Sequence, residues 1–158
     1  MQYRSATCGD IELLVAQRLS FINADKSIEK YDEIESNCRD YFSRALSDGS
    51  CDIILAEENG QCIGTGIVFY YDSVPSAFNI TGRNAYITSL FVAPDHRRRG
   101  IGTNIMNRLL NAASARGYSI VMLNASDMGK ELYRKMGFTD IHNGMILDIS
   151  GGENYAGQ

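Results

Sequence analysis

Apolar positions recur with two different periods along this chain, and the switches between them outline its elements. Met1 to Ala6 suits a short strand. Ile11, Leu14, Val15, Leu19 and Ile22 then fall at helical spacing, which predicts a first amphipathic helix. Ahead of it, Thr7 stands three residues before Asp10, a variant of the capping box. Polar Asn23 to Lys26 break the pattern. A second helix is expected from Ser27 to Asp48, with Ile28, Tyr31, Ile34, Cys38, Tyr41, Phe42 and Ala45 on one side and Gly49 as its stop signal.

Beyond Gly49 the pattern changes. Cys51–Glu57 and Gln61–Tyr71 read as strands joined by an Asn59-Gly60 hairpin turn. Gly64 and Gly66 in the second of them mark a bulge or a close backbone approach. Residues 72–83 mix Pro75, Asn79 and Gly82 with serines and read as a loop, and Ala85–Val92 reads as a strand stopped by Pro94-Asp95. A helix from Gly100 to Arg116 carries Ile101, Ile105, Leu109 and Ala112 on one face and closes at Gly117. Ser119–Leu123 is a short apolar strand, and Met128–Met136 a short helix closed by Gly137. Further strands are expected at Phe138–Ile141 and Gly144–Ile149. Without repeats or low-complexity linkers, the order predicts one α+β domain over residues 1–149, with 150–158 as a C-terminal tail that has little to bury.

Composition narrows the function classes. The 158 residues suffice for one substantial core, with 44% hydrophobic and 22% charged residues. A net charge of −4 gives no general affinity for nucleic acid, so any phosphate site must concentrate positive charge locally. Neither a signal peptide nor a membrane span is apparent. Cys8, Cys38, Cys51 and Cys62 form no CxxC motif and have no histidine at metal-ligand spacing, so free thiols, a cytoplasmic location and no metal are expected. Cys51 and Cys62 fall in strands, where a thiol acts as a small hydrophobe.

Local positive charge does appear, in Val92-Ala93-Pro94-Asp95-His96-Arg97-Arg98-Arg99-Gly100-Ile101-Gly102-Thr103. A strand ends, three arginines follow, and two glycines open a helix. Glycine lets the backbone approach a ligand. The first helical turn has free N–H groups and the positive end of the dipole. Guanidinium groups add forked donors for phosphate oxygens. Together these make a pyrophosphate cradle. A P-loop would require Lys-Ser or Lys-Thr after the second glycine, where Thr103-Asn104 stands, and a dinucleotide-binding turn would require glycine at Ile105. A solvated basic loop is the plainer alternative.

A second motif, Leu132-Tyr133-x-x-Met136-Gly137-Phe138, follows at a distance. With Arg97-Arg98-Arg99-Gly100-Ile101-Gly102 as the Arg/Gln-x-x-Gly-x-Gly/Ala signature, and Leu90-Phe91-Val92 and Pro94 before it, the chain resembles the GCN5-related N-acetyltransferase (GNAT) superfamily over roughly residues 1–149. The resemblance implies an α/β/α sandwich with about four helices. Its mixed, mostly antiparallel sheet would have six to seven strands, splayed between the strand ending at Val92 and the one ending near Asn124. Acetyl-CoA, the implied donor, would lie in that opening, with no metal. Leu90, Phe91, Val92, Arg97, Arg98, Arg99, Gly100, Ile101, Gly102, Thr103, Asn124 and Tyr133 are the implied cofactor-binding residues. Backbone amides of Arg98 through Thr103 would hold the pyrophosphate, and Phe91 and Val92 would pair with the pantetheine arm.

The reaction so implied moves an acetyl group to a primary amine of a small molecule or peptide. It needs a neutral amine, oxyanion stabilisation and a proton for the departing thiolate. Tyr133 matches the family's general acid; packing against the sheet is its other role. Thr103 and Asn124 could equally be an ordinary helix-start residue and a strand-ending asparagine, and Asp127 reads as an N-cap. The carboxylate many relatives carry ahead of the signature is missing from Tyr86-Ile87-Thr88-Ser89-Leu90. Water held by Tyr86, Thr88 or Ser89, or a residue such as Glu29 or Glu33, would have to serve, and no base is assigned. The acceptor would meet Tyr31, Asp32, Glu35, Phe78 and Asn79. The acidic cluster Glu29, Asp32, Glu33 and Glu35 either attracts an ammonium or is a solvated helix face. No nucleic acid or membrane partner is implied, and a homodimer is common among proteins of this kind. A non-catalytic coenzyme A-binding regulatory module is the alternative function.

Overall fold

The computed structural model describes residues 1–22 and 27–141. They form two compact units that meet between Asn124 and Ala125. The first unit begins with β1 (Gln2–Ser5), a 3-10 turn at Cys8–Asp10, α1 (Ile11–Phe21) and α2 (Tyr31–Asp48). It continues through β2 (Cys51–Glu58), β3 (Gln61–Asp72), β4 (Arg83–Val92), a 3-10 turn at Pro94–His96, α3 (Ile101–Ala115) and β5 (Val121–Leu123). In the second unit, α4 spans Asp127–Lys135. The α+β class expected from the sequence is present: four helices and a mixed sheet. The sheet has five strands among the described residues, against the six to seven expected. No strand forms at Phe138–Ile141, and Gly144–Ile149 lies outside the described residues.

The strands follow chain order, antiparallel from β1 to β4, while β5 runs parallel to β4 after the α3 crossover. Asn59 and Gly60, at φ 53° and 77°, make the hairpin between β2 and β3. The sandwich follows from which residues each face of the sheet must bury. On one face, Leu14, Val15 and Leu19 of α1 and Phe42 and Ala45 of α2 cluster with Cys51, Ile53, Leu55 and Ile67. The buried stripe of α3, Ile101, Ile105, Met106, Leu109 and Ala113, covers the other. The two glycines of β3 explain how closely α3 sits. A Cβ on Gly66 would come 2.6 Å from Ile105 Cγ2, and one on Gly64 would come 3.1 Å from Ile105 Cδ1.

The helix starts differ from expectation in instructive ways. Thr7 N–H donates to the Asp10 carboxylate at 2.8 Å, as the capping box predicts, but the pair closes a separate 3-10 turn. Arg4 then clamps Asp10 and Glu57, each at 2.7 Å, and holds the Asp10 carboxyl well below its usual range. The second helix starts at Tyr31 rather than Ser27, after a turn over residues 27–30. Asn79, expected near the acceptor, is buried and holds the β3–β4 loop by donating to the Arg83 carbonyl and the Asn84 amide oxygen. Phe78 beside it is 71% exposed. Among the described residues no helix is long and apolar enough to cross a membrane.

Candidate active site

Two features of β4 shape the first unit's site. The strand pairs with β5 only through Ala85, Tyr86 and Ile87, so that from Thr88 onward it has no β5 partner. Parallel strands that part in this way leave main-chain donors and acceptors unpaired along one edge. The second feature is a bulge. Thr65 faces Phe91 and Ile67 faces Thr88, so Ser89 and Leu90 together oppose Gly66 alone. Ser89 takes φ 53°, a left-handed conformation that is uncommon outside glycine. At the parting point, Tyr86 sits with its hydroxyl against the Asn124 backbone amide, and burial raises its pKa.

The chain leaves β4 through Ala93 and the Pro94–His96 turn, then enters α3 over three exposed arginines. Arg98 at φ 62° and Gly100 at φ 77° turn the backbone here. Asn104 N–H donates back to the Gly100 carbonyl at 3.0 Å. Among the described residues, no backbone hydrogen bond uses the amides of Arg98, Arg99, Gly100, Ile101, Gly102 or Thr103. A row of six free amides at the start of a 15-residue helix is an anion receptor. The arginine side chains serve it less than their number suggests. Arg99 is held by Glu58 at 2.8 Å, and Arg97 Nε donates to the Val92 carbonyl at 3.1 Å. His96 Nε2 also lies 3.2 Å from Glu58, which ties the turn to the end of β2.

The residue model of the acetyltransferase (GNAT) family matches residues 16–138, which takes in the turn and α4 alike. This chain belongs to that family. A crystal structure of a predicted acetyltransferase with acetyl-CoA from Clostridium acetobutylicum is 31% identical, with a TM-score of 0.85 over 98% of this chain and 99% of that one. A GCN5-related N-acetyltransferase from Ralstonia eutropha is 27% identical, with a TM-score of 0.83, covering 94% of this chain and 99% of its own. The thialysine N-epsilon-acetyltransferase of Sus scrofa is 32% identical over 89 residues, 54% of this chain. That stretch spans about half (49%) of the pig protein's length.

Within this GNAT chain the second unit carries Tyr133. Ser126 caps α4 by accepting the Gly129 N–H at 3.3 Å, so the cap is Ser126 and not Asp127. Asp127 is exposed and pairs with Lys130 at 3.0 Å. The helix ends in a Schellman motif: Phe138 N–H donates to the Tyr133 carbonyl, and Gly137 N–H to that of Arg134. Gly137 takes φ 92°, and the Phe138 ring meets the Tyr133 ring edge-on at 6.0 Å. The Tyr133-to-Phe138 motif therefore has a structural cause in the way one helix ends. Burial raises the Tyr133 pKa. A Cβ at Gly129 would lie 2.7 Å from the Tyr133 ring, so that glycine makes room for it.

Of the residues proposed for the acceptor, Glu29, Tyr31, Asp32 and Glu33 line one open surface hollow with Ile28 and Lys30. Glu29, Asp32 and Glu33 are exposed beside Lys30, and Glu35 pairs with Arg39, which also holds Glu12. The solvated-face reading suits them. What the sequence reading missed lies under α1. Leu14, Gln17, Arg18 and Phe21 of α1, with Phe42, Thr65, Ile67, Ser89 and Phe91, line a small recess of about 10 Å³, room for about one water. Arg18 Nη1 donates to Ser89 Oγ at 3.0 Å. The signal was an arginine among Leu19, Phe21 and Ile22 near the end of an amphipathic helix, but its partners are distant in sequence.

Proposed function

We propose that this protein transfers an acetyl group from acetyl-CoA to a primary amine of a small molecule or protein. The row of free amides from Arg98 to Thr103, beside the unpaired stretch of β4, carries this reading. Those amides fit a pyrophosphate, with glycine at positions 100 and 102 leaving the approach clear. Main-chain groups of Leu90, Phe91 and Val92 fit an amide-bearing arm laid along the strand edge, as an added strand would lie. Arg97, Ile101 and Asn124 complete the binding set. The Clostridium structure with acetyl-CoA supports the same donor.

Bound acetyl-CoA supplies a thioester, whose carbonyl carbon is the electrophile. The acceptor nitrogen bonds to that carbon while the carbon–sulfur bond breaks; the nitrogen gives up one proton and the sulfur takes one. Tyr133 is the proton donor to sulfur in this reading. Its raised pKa keeps the phenol protonated at neutral pH, so it can donate but not act as a base there. No carboxylate stands in β4 to take the amine's proton, so the amine arrives neutral or passes its proton to water. The acetyltransferase domain in this reading spans residues 1–149.

Acetyl-CoA binding by calorimetry and transfer to a panel of amines test the proposal. Binding with no transfer to any amine would favour a regulatory coenzyme A-binding module. Tyr133→Phe is expected to lower kcat by about a hundredfold or more while acetyl-CoA affinity changes little. Unchanged turnover would remove Tyr133 from the mechanism. Because its pKa lies above the ordinary phenol value of about 10, kcat should not fall on its account between neutrality and that pH. A fall in that range that vanished in Tyr133→Phe would contradict the raised value.

A further inference from the structure

Arg18 directs its guanidinium at a hydroxyl. The side chain is half-buried in the last turn of α1, where a cation suits the helix end, and its Nη1 donates to Ser89 Oγ at 3.0 Å. Elsewhere Arg4, Arg39, Arg99 and Arg116 each hold a carboxylate. The recess beside Arg18 has room for about one water, which would satisfy the buried Gln17 Oε1, so no larger ligand accounts for the placement. What Arg18 does meet is the bulged residue of β4. Ser89 stands at φ 53°, a conformation that glycine takes freely and serine resists. A charge-assisted hydrogen bond to its side chain helps to hold it there. Leu14, Val15 and Leu19, buried against the sheet, fix the helix from which Arg18 reaches.

The bulge lies where the donor's reacting end would come. In the reading above, the pyrophosphate sits at the turn after Val92 and the arm runs back along β4 past Phe91 and Leu90. Its far end, the thioester, then arrives at Ser89. A bulge leaves ladder groups unpaired and adds local twist, so the torsion at Ser89 decides where its main-chain donors point. We propose that Arg18 is a positioning residue: by holding Ser89 Oγ, it keeps the bulge in the left-handed form that turns a main-chain N–H towards the thioester carbonyl. Arg18 touches neither donor nor acceptor in this role. An N–H so aimed stabilises the charge that grows on the carbonyl oxygen as the amine attacks. The amides of the turn bind the donor regardless, so the effect falls on the carbonyl rather than on acetyl-CoA affinity. This inference rests on the acetyltransferase reading above.

Isotope-edited infrared spectra of bound acetyl-CoA read the thioester carbonyl stretch, and calorimetry reads affinity. In wild type the stretch should move to lower frequency on binding, as that of a carbonyl accepting a hydrogen bond does. Arg18→Met should lose most of that shift while affinity stays within about threefold, and Arg18→Lys should keep part of it. Glycine holds a positive φ unaided, so Arg18→Met combined with Ser89→Gly should keep the shift. A role for Arg18 in stability alone would leave the shift in place and move only the urea midpoint. An undiminished shift in Arg18→Met, or a loss as large beside Ser89→Gly as beside serine, overturns the proposal. Should Arg18→Met fail to fold, Ser89→Ala and Ser89→Gly decide: alanine should lose the shift and glycine keep it, and equal shifts overturn the proposal. A wild type that binds acetyl-CoA with its stretch unmoved overturns the positioning alone. One that binds no acetyl-CoA overturns the acetyltransferase reading with it.

Discussion

On the α3 side of β4, the anion-ready turn is made of main-chain amides from consecutive residues; on the α1 side, the recess is made of side chains from α1, α2, β3 and β4. The turn needs only a helix start and glycines, so it is local and its chemistry is fixed by backbone geometry. The recess needs Gln17, Arg18, Thr65 and Ser89 to converge, so it exists only once the sheet is assembled. A family can keep the first while varying the second one side chain at a time. In the proposed reading, donor binding rests on the first alone.

The sharpest way to break this contrast is to unseat α3. Gly66→Val would place a branched side chain where even a Cβ lies 2.6 Å from Ile105 and 3.0 Å from Leu109. Overpacking of this kind costs about 1–3 kcal/mol. Urea unfolding should show the loss, and an unmoved midpoint would mean that α3 is not held by this contact. Gly100→Val comes next: its left-handed backbone resists a β-branched residue by about 1–2 kcal/mol. Acetyl-CoA affinity, measured by calorimetry, should fall at least about tenfold. Normal affinity would show that the amides are not the receptor. The smallest effect is expected from Arg99→Gln, because Glu58 already holds that side chain. A loss as large as that of Gly100→Val would move the receptor from main chain to guanidinium.

Much of the fold was legible because each element carries its own period and its own stop. The Asn59-Gly60 hairpin, the α3 stripe and the Gly117 and Gly137 helix ends all rest on residues within one turn or two strands of each other. Gly64 and Gly66 announced a close approach, though not that α3 was what approached. The turn from Arg97 to Thr103 was legible for the same reason, as a strand end, glycines and a helix start in sequence. The Arg18–Ser89 hydrogen bond was not, because its partners lie 71 residues apart and the bulge that presents Ser89 is marked by no local pattern. The acidic residues around Glu29 to Glu35 were legible as a charged helix start, and Glu29, Asp32 and Glu33 do face one open hollow beside Lys30.

The bulge at Ser89 also has a consequence for β4 as a whole. Side chains on a strand take turns between its faces, and the additional residue advances that rhythm by half a cycle. Thr88 therefore shares a face with Phe91, three places on, where an unbroken strand would have put Leu90. Removing a single residue there would not merely shorten the strand. Without Ser89 the ladder would run unbroken, with Leu90 still opposite Gly66 and Phe91 still opposite Thr65, so both faces would keep their occupants while the left-handed kink and its added twist disappeared.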